Sequence, residues 1–278
     1  MTTPTTERPR VRRPRLVALV VVWILIVTGL SVWSVRHDPP TVPEQRDIAE
    51  AVPVLQAATG AVFAAATAGR DRAVEIEDVR VRRGCRVTPV RSGVEATRLV
   101  TVYVRGDGAL PVLKAIAAGL PAGYHARADA SSSGKRVGLE ADAGGYVAID
   151  VRADAASQVL PIEISTGCRP DGDLKLGSPG LAAPPPPLTS ALQAFGQEQA
   201  GAAGVTTVTC PGGSEGRTYT VDGVPPPRDL GKALQPLTDG ATVVRAEPSG
   251  WAYLTGDGSV AVVKQGSTLR LSLTQPCH

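Results

Sequence analysis

Leu16 to Val35 reads LVALVVVWILIVTGLSVWSV, twenty residues without a formal charge. A helix of that length, rising about 1.5 Å per residue, covers the roughly 30 Å hydrocarbon core of a bilayer. Residues 16–35 are therefore expected to form a transmembrane helix, with the lipid bilayer as its partner. Arg8, Arg10, Arg12, Arg13 and Arg15 precede it, offset only by Glu7, whereas Arg36 stands alone beyond it. Basic residues gathered at one end of a first span keep that end in the cytoplasm. The expectation is a single-pass signal-anchor in the cell membrane, with residues 1–15 as a cytoplasmic basic tail and the C-terminal domains outside. A cleaved signal peptide is the competing reading. Its apolar region usually runs about 7–15 residues and ends at a small-x-small site, whereas here the exit is Ser31-Val32-Trp33-Ser34-Val35-Arg36.

The formal net charge of +3 comes from that basic tail. From His37 onward 23 basic residues face 25 acidic ones. With a balance near neutral and no recognisable module, no nucleic-acid partner is expected. Aromatic residues make up only 4% of the chain, so its core must be built mainly from Val, Leu, Ile and Ala. The heavy use of Ala, Val, Arg, Gly and Pro fits a GC-rich bacterial genome.

The four cysteines, Cys85, Cys168, Cys210 and Cys277, all follow the apolar stretch. An even number in an oxidising compartment reads as disulfides, and the lack of a C-x-x-C pair argues against zinc ribbons and thioredoxin-like chemistry. Three pairings are possible, and a repeat in the pattern of elements favours one of them.

After a juxtamembrane spacer, residues 36–43, Thr41-Val42-Pro43-Glu44 fits a helix start. Apolar residues from Ile48 to Phe63 recur at helical spacing, with Pro53 and Gly60 as irregularities. Strands are expected over 74–82 and 98–105, the latter being the clean alternation RLVTVYVR. A helix over 109–118 follows, then a meander over 124–128, 136–140, 146–151 and 159–165, closing at Cys168. Residues 171–187, with four consecutive prolines, read as a Pro/Gly-rich linker. Beyond it the order returns: a helix from Leu188, a strand ending on Cys210, a strand over 217–221, a helix over 228–237, and a meander closing at Cys277. The expected fold class is α+β: one transmembrane helix, then two tandem, similar units (44–170 and 188–278), each with helices packed on antiparallel sheet and closed by a disulfide. Equivalent positions pair Cys85 with Cys168 and Cys210 with Cys277.

No motif names a reaction. His37, His125 and His278 are the only histidines, and His125, placed in a strand, lacks triad partners. Glu75, Glu77 and Asp78 are read as a solvated strand face flanked by arginines. Asp171-Gly172-Asp173 lacks the rest of a calcium loop, and Gly212 to Gly216 lacks the Lys-Ser/Thr of a phosphate loop. No catalytic, cofactor-binding or metal site is expected, and no cofactor. The one local charge excess is Arg80, Arg82, Arg83, Arg86 and Arg91 around Cys85, a patch that suits an envelope protein, lipid headgroups or an anionic envelope polymer. The alternative is a solvated edge whose arginines pair with neighbouring acids. The function expected from these features is a non-catalytic, extracytoplasmic binding or scaffolding module. A carboxylate-based envelope hydrolase and a sensor subunit are the alternatives.

Overall fold

The computed structural model describes residues 14–37, 46–89, 91–177, 179–197 and 201–277. The basic tail before residue 14, most of the spacer, the Thr41–Glu44 helix start and His278 lie outside the described residues. The chain divides into two compact units, Met1–Val42 and Pro43–His278.

The first unit holds one helix, α1, Pro14–His37, of 24 residues. Its described side chains, Val17 to Trp33, are all exposed. The second unit begins with α2, Ile48–Thr67, whose N-cap Asp47 accepts a hydrogen bond from the Glu50 N–H at 3.1 Å. This helix is long and apolar enough to cross a membrane, but 61% of its most apolar window is buried. It is a core helix of the globular unit.

Fourteen strands among the described residues form two antiparallel sheets. The first sheet takes β1 Ala73–Ile76, β2 Arg80–Thr88, β3 Arg91–Tyr103, β4 Arg127–Ala130, β5 Arg136–Asp142, β6 Ala148–Asp154 and β7 Val159–Ser165, with helix α3, Ala109–Gly119, between β3 and β4. Its order is β1-β3-β7-β6-β5-β4, and β2 also pairs with β3. The second sheet takes β8 Gly180–Ala182, β9 Ala203–Thr209, β10 Glu215–Val224, β11 Thr242–Glu247, β12 Gly250–Thr255, β13 Gly258–Gln265 and β14 Thr268–Gln275, with helices α4, Pro186–Ala194, and α5, Leu230–Thr238. Its order is β11-β12-β13-β14-β10-β9-β8.

Read from the first strand of each sequence half, with β1 and β2 as one interrupted strand, both sheets run first, second, last, then backwards through the meander. Only β8 has no counterpart. Disulfides join Cys85 to Cys168 and Cys210 to Cys277.

Several boundaries differ from the sequence reading. The single strand expected over 74–82 is two: after the Glu77 N–H donates to the Leu99 carbonyl at 3.0 Å, the ladder to β3 lapses at Asp78 and Val79 and resumes at Arg80. Residues 171–187 contribute β8 and the first turn of α4. Pro186 and Pro187 open that helix, where a missing N–H costs nothing and a fixed φ is already helical. His125 lies in a turn after a short 3-10 helix rather than in a strand, at φ 50°.

The sheets meet through α2 and β1. One apolar core gathers Leu55, Val62 and Phe63 of α2 with Val100, Val102, Ile162 and Ile164 of the first sheet, and Val208 and Cys210 of the second. The second sheet covers its other core, Leu188, Leu192, Val260, Val262, Leu271 and Leu273, with α4 and α5. Gly60 is the point of closest approach of α2 to the second sheet: a Cβ there would stand 2.0 Å from the Thr209 carbonyl oxygen. β1 is buried at all four residues. Its outward donors at Val74 and Ile76 meet hydroxyls of the second sheet. Ser259 Oγ accepts from the Val74 N–H at 3.0 Å and lies 3.2 Å from the Val74 carbonyl, and Thr218 Oγ1 accepts from the Ile76 N–H at 3.3 Å. An edge that would otherwise invite strand addition is thereby closed by side chains.

Candidate functional site

Where β1 gives way to β2, the chain crosses the second sheet and leaves a cleft of about 660 Å³ lined by Glu77, Asp78, Arg80, Thr206, Asp222 and Arg270, among others. The crossing segment is pinned from both sides. Thr206 Oγ1 donates to Asp78 Oδ1 at 2.6 Å. Arg98, on β3, donates from Nε to the Glu77 carbonyl at 3.1 Å and from Nη2 to the Thr207 carbonyl at 2.9 Å, and burial pulls its guanidinium below the usual value.

Arg270 of β14 organises the acids. It holds Asp222 of β10 with Nε at 2.7 Å and Nη2 at 3.4 Å, while its Nη1 lies 3.7 Å from Glu77 and 4.0 Å from Glu75. Its own burial opposes the charge, but the hydrogen bond to Asp222 and the three carboxylates outweigh that and raise its pKa. Arg80 closes a further ion pair on Glu77. Beneath them Glu75, only 4% exposed, accepts a hydrogen bond from the Tyr103 hydroxyl at 2.8 Å. Desolvation raises the Glu75 carboxyl above the ordinary value, even though the Tyr103 hydrogen bond and Arg270 pull the other way. Burial and the adjacent Glu75 push the Tyr103 phenol well up.

The solvated-face reading of Glu75 is thus corrected: β1 is covered by the second sheet, and an alternating strand cannot announce what packs on its outer side. Tyr103, Asp222 and Arg270 were not singled out in the sequence. Each sits in an ordinary strand, and only the docking of the two sheets brings them together.

The arginine patch divides in two. Arg80 pairs with Glu77, Arg82 with Glu95, and Arg83 with Asp171 at 3.3 Å. Arg86 and Arg91, in the last rungs of the β2–β3 hairpin, have no acid partner among the described residues. His125 lies far along the chain from the cleft acids and does not line the cleft. No group of three or more His, Cys, Asp or Glu side chains suited to a metal ion occurs among the described residues.

Glu75 makes stability depend on pH in a defined sense. Its folded pKa lies above the unfolded one, so the native state holds a proton that the unfolded chain has released, and stability falls as pH rises through that window. Glu75→Gln keeps an acceptor for Tyr103 and leaves Arg270 its Asp222. The variant is expected to be more stable than the parent above the window, with the gain vanishing below the ordinary carboxylate range. Urea unfolding at both pH extremes checks this; a gain of equal size at both would assign it to packing instead.

Comparison with known protein families, with characterised proteins and with solved structures returns no match. What the fold defines is an α+β protein with two antiparallel sheets and two disulfides, which point to an oxidising, extracytoplasmic location.

Proposed function

We propose that the chain is a single-pass membrane protein, N-terminus in the cytoplasm, whose exported part is a non-catalytic cell-envelope binding or scaffolding module built from two duplicated α+β units. The uncharged run within α1, its exposed side chains and the arginines before it support the anchor. The matching strand orders support the duplication.

The observation that carries the non-catalytic reading is the saturation of the cleft acids. Glu77 is shared by Arg80 and Arg270, Asp222 is held at two points by Arg270, and Glu75 is buried beneath a tyrosine. A hydrolytic pair needs one acid protonated and one carboxylate open to a water or sugar. Here Glu77 and Asp222 are tied to arginine, Asp78 is held by the Thr206 hydroxyl, and the acid that favours its proton is the one solvent does not reach.

Crosslinking of the full chain in intact envelopes, beside a control anchored by the same span, is expected to recover one defined protein or polymer. The hydrolase reading draws on the raised pKa of Glu75 beside two further carboxylates. Cleavage of an envelope glycan, abolished by Glu75→Gln, with nothing captured beyond the control, would replace the binding reading.

A further inference from the structure

The β2 side of the β2–β3 hairpin lies open to solvent. No residue of β2 is fully buried, and its far edge is unpaired among the described strands. The hairpin is nevertheless firmly based. Cys85 is bridged to Cys168, and Val94 and Arg169 exchange backbone hydrogen bonds, each of 2.8 Å. The buried Arg169 in turn donates from Nη2 to the Gly145 carbonyl at 2.6 Å and the Tyr146 carbonyl at 3.1 Å.

The same base receives the chain from its N-terminal side. The Ile48 N–H donates to the Pro170 carbonyl at 3.1 Å, and Asp171 pairs with Arg83 of β2. The entry point into the globular unit and the root of the hairpin are therefore one place. Residue 46 follows His37, the last residue of α1, by nine positions, and a chain of that length spans at most about 30 Å.

We infer that this hairpin is a headgroup-binding arm: Arg86 and Arg91 engage the phosphates of anionic lipids in the outer leaflet of the membrane that holds α1. The inference rests on the anchor reading above and names a partner for it. Three of the five arginines spend their charge on Glu77, Glu95 and Asp171, and the two at the tip keep theirs for a partner. Arginine suits phosphate because its planar fork offers paired donors. A lipid surface is the anion that the short tether keeps within reach.

The test uses the full chain reconstituted in phosphatidylglycerol nanodiscs and in phosphatidylcholine nanodiscs, with hydrogen exchange followed over residues 83–92. Each basic side chain at an anionic surface is worth about a fivefold change in population. Exchange in the hairpin is expected to slow by roughly an order of magnitude in phosphatidylglycerol. The protection should fade with added salt, and Arg86→Ser with Arg91→Ser should abolish it while exchange in β5–β7 stays unchanged. Equal hairpin exchange in both disc types, with the chain retained, would overturn the arm and leave the anchor standing. Protection in phosphatidylcholine discs on adding inorganic phosphate alone, with no further effect of phosphatidylglycerol, would reassign the tip to soluble anions. Loss of the chain from both disc types at high salt would overturn the anchor and the arm together.

Discussion

Phe63→Ala is expected to cost about 3–5 kcal/mol, the range for removing a large aromatic side chain from a core. Phe63 is fully buried on α2, in the apolar core that gathers residues of both sheets. Its ring lies against Gly216 of β10 so closely that a Cβ built there would stand 2.0 Å from the ring's Cε1 atom. For a unit of this size about 2–4 °C of melting temperature accompanies each kcal/mol, so calorimetry should show a fall of roughly 10 °C. The reciprocal change identifies the contact. Gly216→Ala alone overpacks the site, at a typical cost of about 1–3 kcal/mol. In the Phe63→Ala background the added methyl enters vacated space, so the double variant should be less damaged than the sum of the single ones. Strict additivity would mean that α2 and β10 relax independently and that the helix does not couple the two sheets.

Glycine marks this coupling twice, and neither position could be read from the sequence as a contact. Gly60 inside a helical pattern suggests an irregularity, and Gly216 belongs to a glycine-rich stretch that shows only what it is not, a phosphate loop. Both are places where a backbone or ring approaches too closely for a side chain. What could be read was local or compositional. Alternation found the strand that became β3, and the succession of helices, strands and cysteines implied the pairing that the disulfides show. The proline run was legible as a break, but not as the N-terminus of α4, because proline serves both.

The candidate site was the least legible part, for a physical reason. Glu75, Tyr103, Asp222 and Arg270 belong to four strands of two sheets, and none carries a motif. Their assembly follows from β1 seating on the face of the second sheet, where Ala73 and Tyr103 pack with Val244, Ala252 and Ala261. A period-2 pattern records which residues share a face, and an edge strand covered on both faces gives the same pattern as one open to water. The arginines followed the opposite course: the sequence gathered five as one patch, and the structure leaves two without an acid among the described residues.

Replacing Cys210 and Cys277 by alanine is expected to destabilise the globular unit by about 2–5 kcal/mol, and more than the same change at Cys85 and Cys168. In the chain-entropy limit the two bridges are nearly equal, about 4.5 kcal/mol each, since they close loops of similar length with sequence separations of 67 and 83. Burial separates them. Cys210 is 4% exposed, directly follows the Thr209 carbonyl against which Gly60 rests, and belongs to the core shared by α2 and both sheets. Cys85 and Cys168 are half-buried at the root of an exposed hairpin. Losing the first bridge therefore adds a packing defect at the junction of the sheets to the freedom gained by the unfolded chain, whereas losing the second releases mainly the arm. Urea unfolding of the two double variants measures the difference. A single shared transition, lowered further for the Cys210 and Cys277 variant, is the expected result. Two separate transitions, with only the later one lowered in that variant, would mean that the sheets unfold independently despite the shared helix. The reverse ranking would mean that the hairpin root, and not the junction of the sheets, holds the fold together.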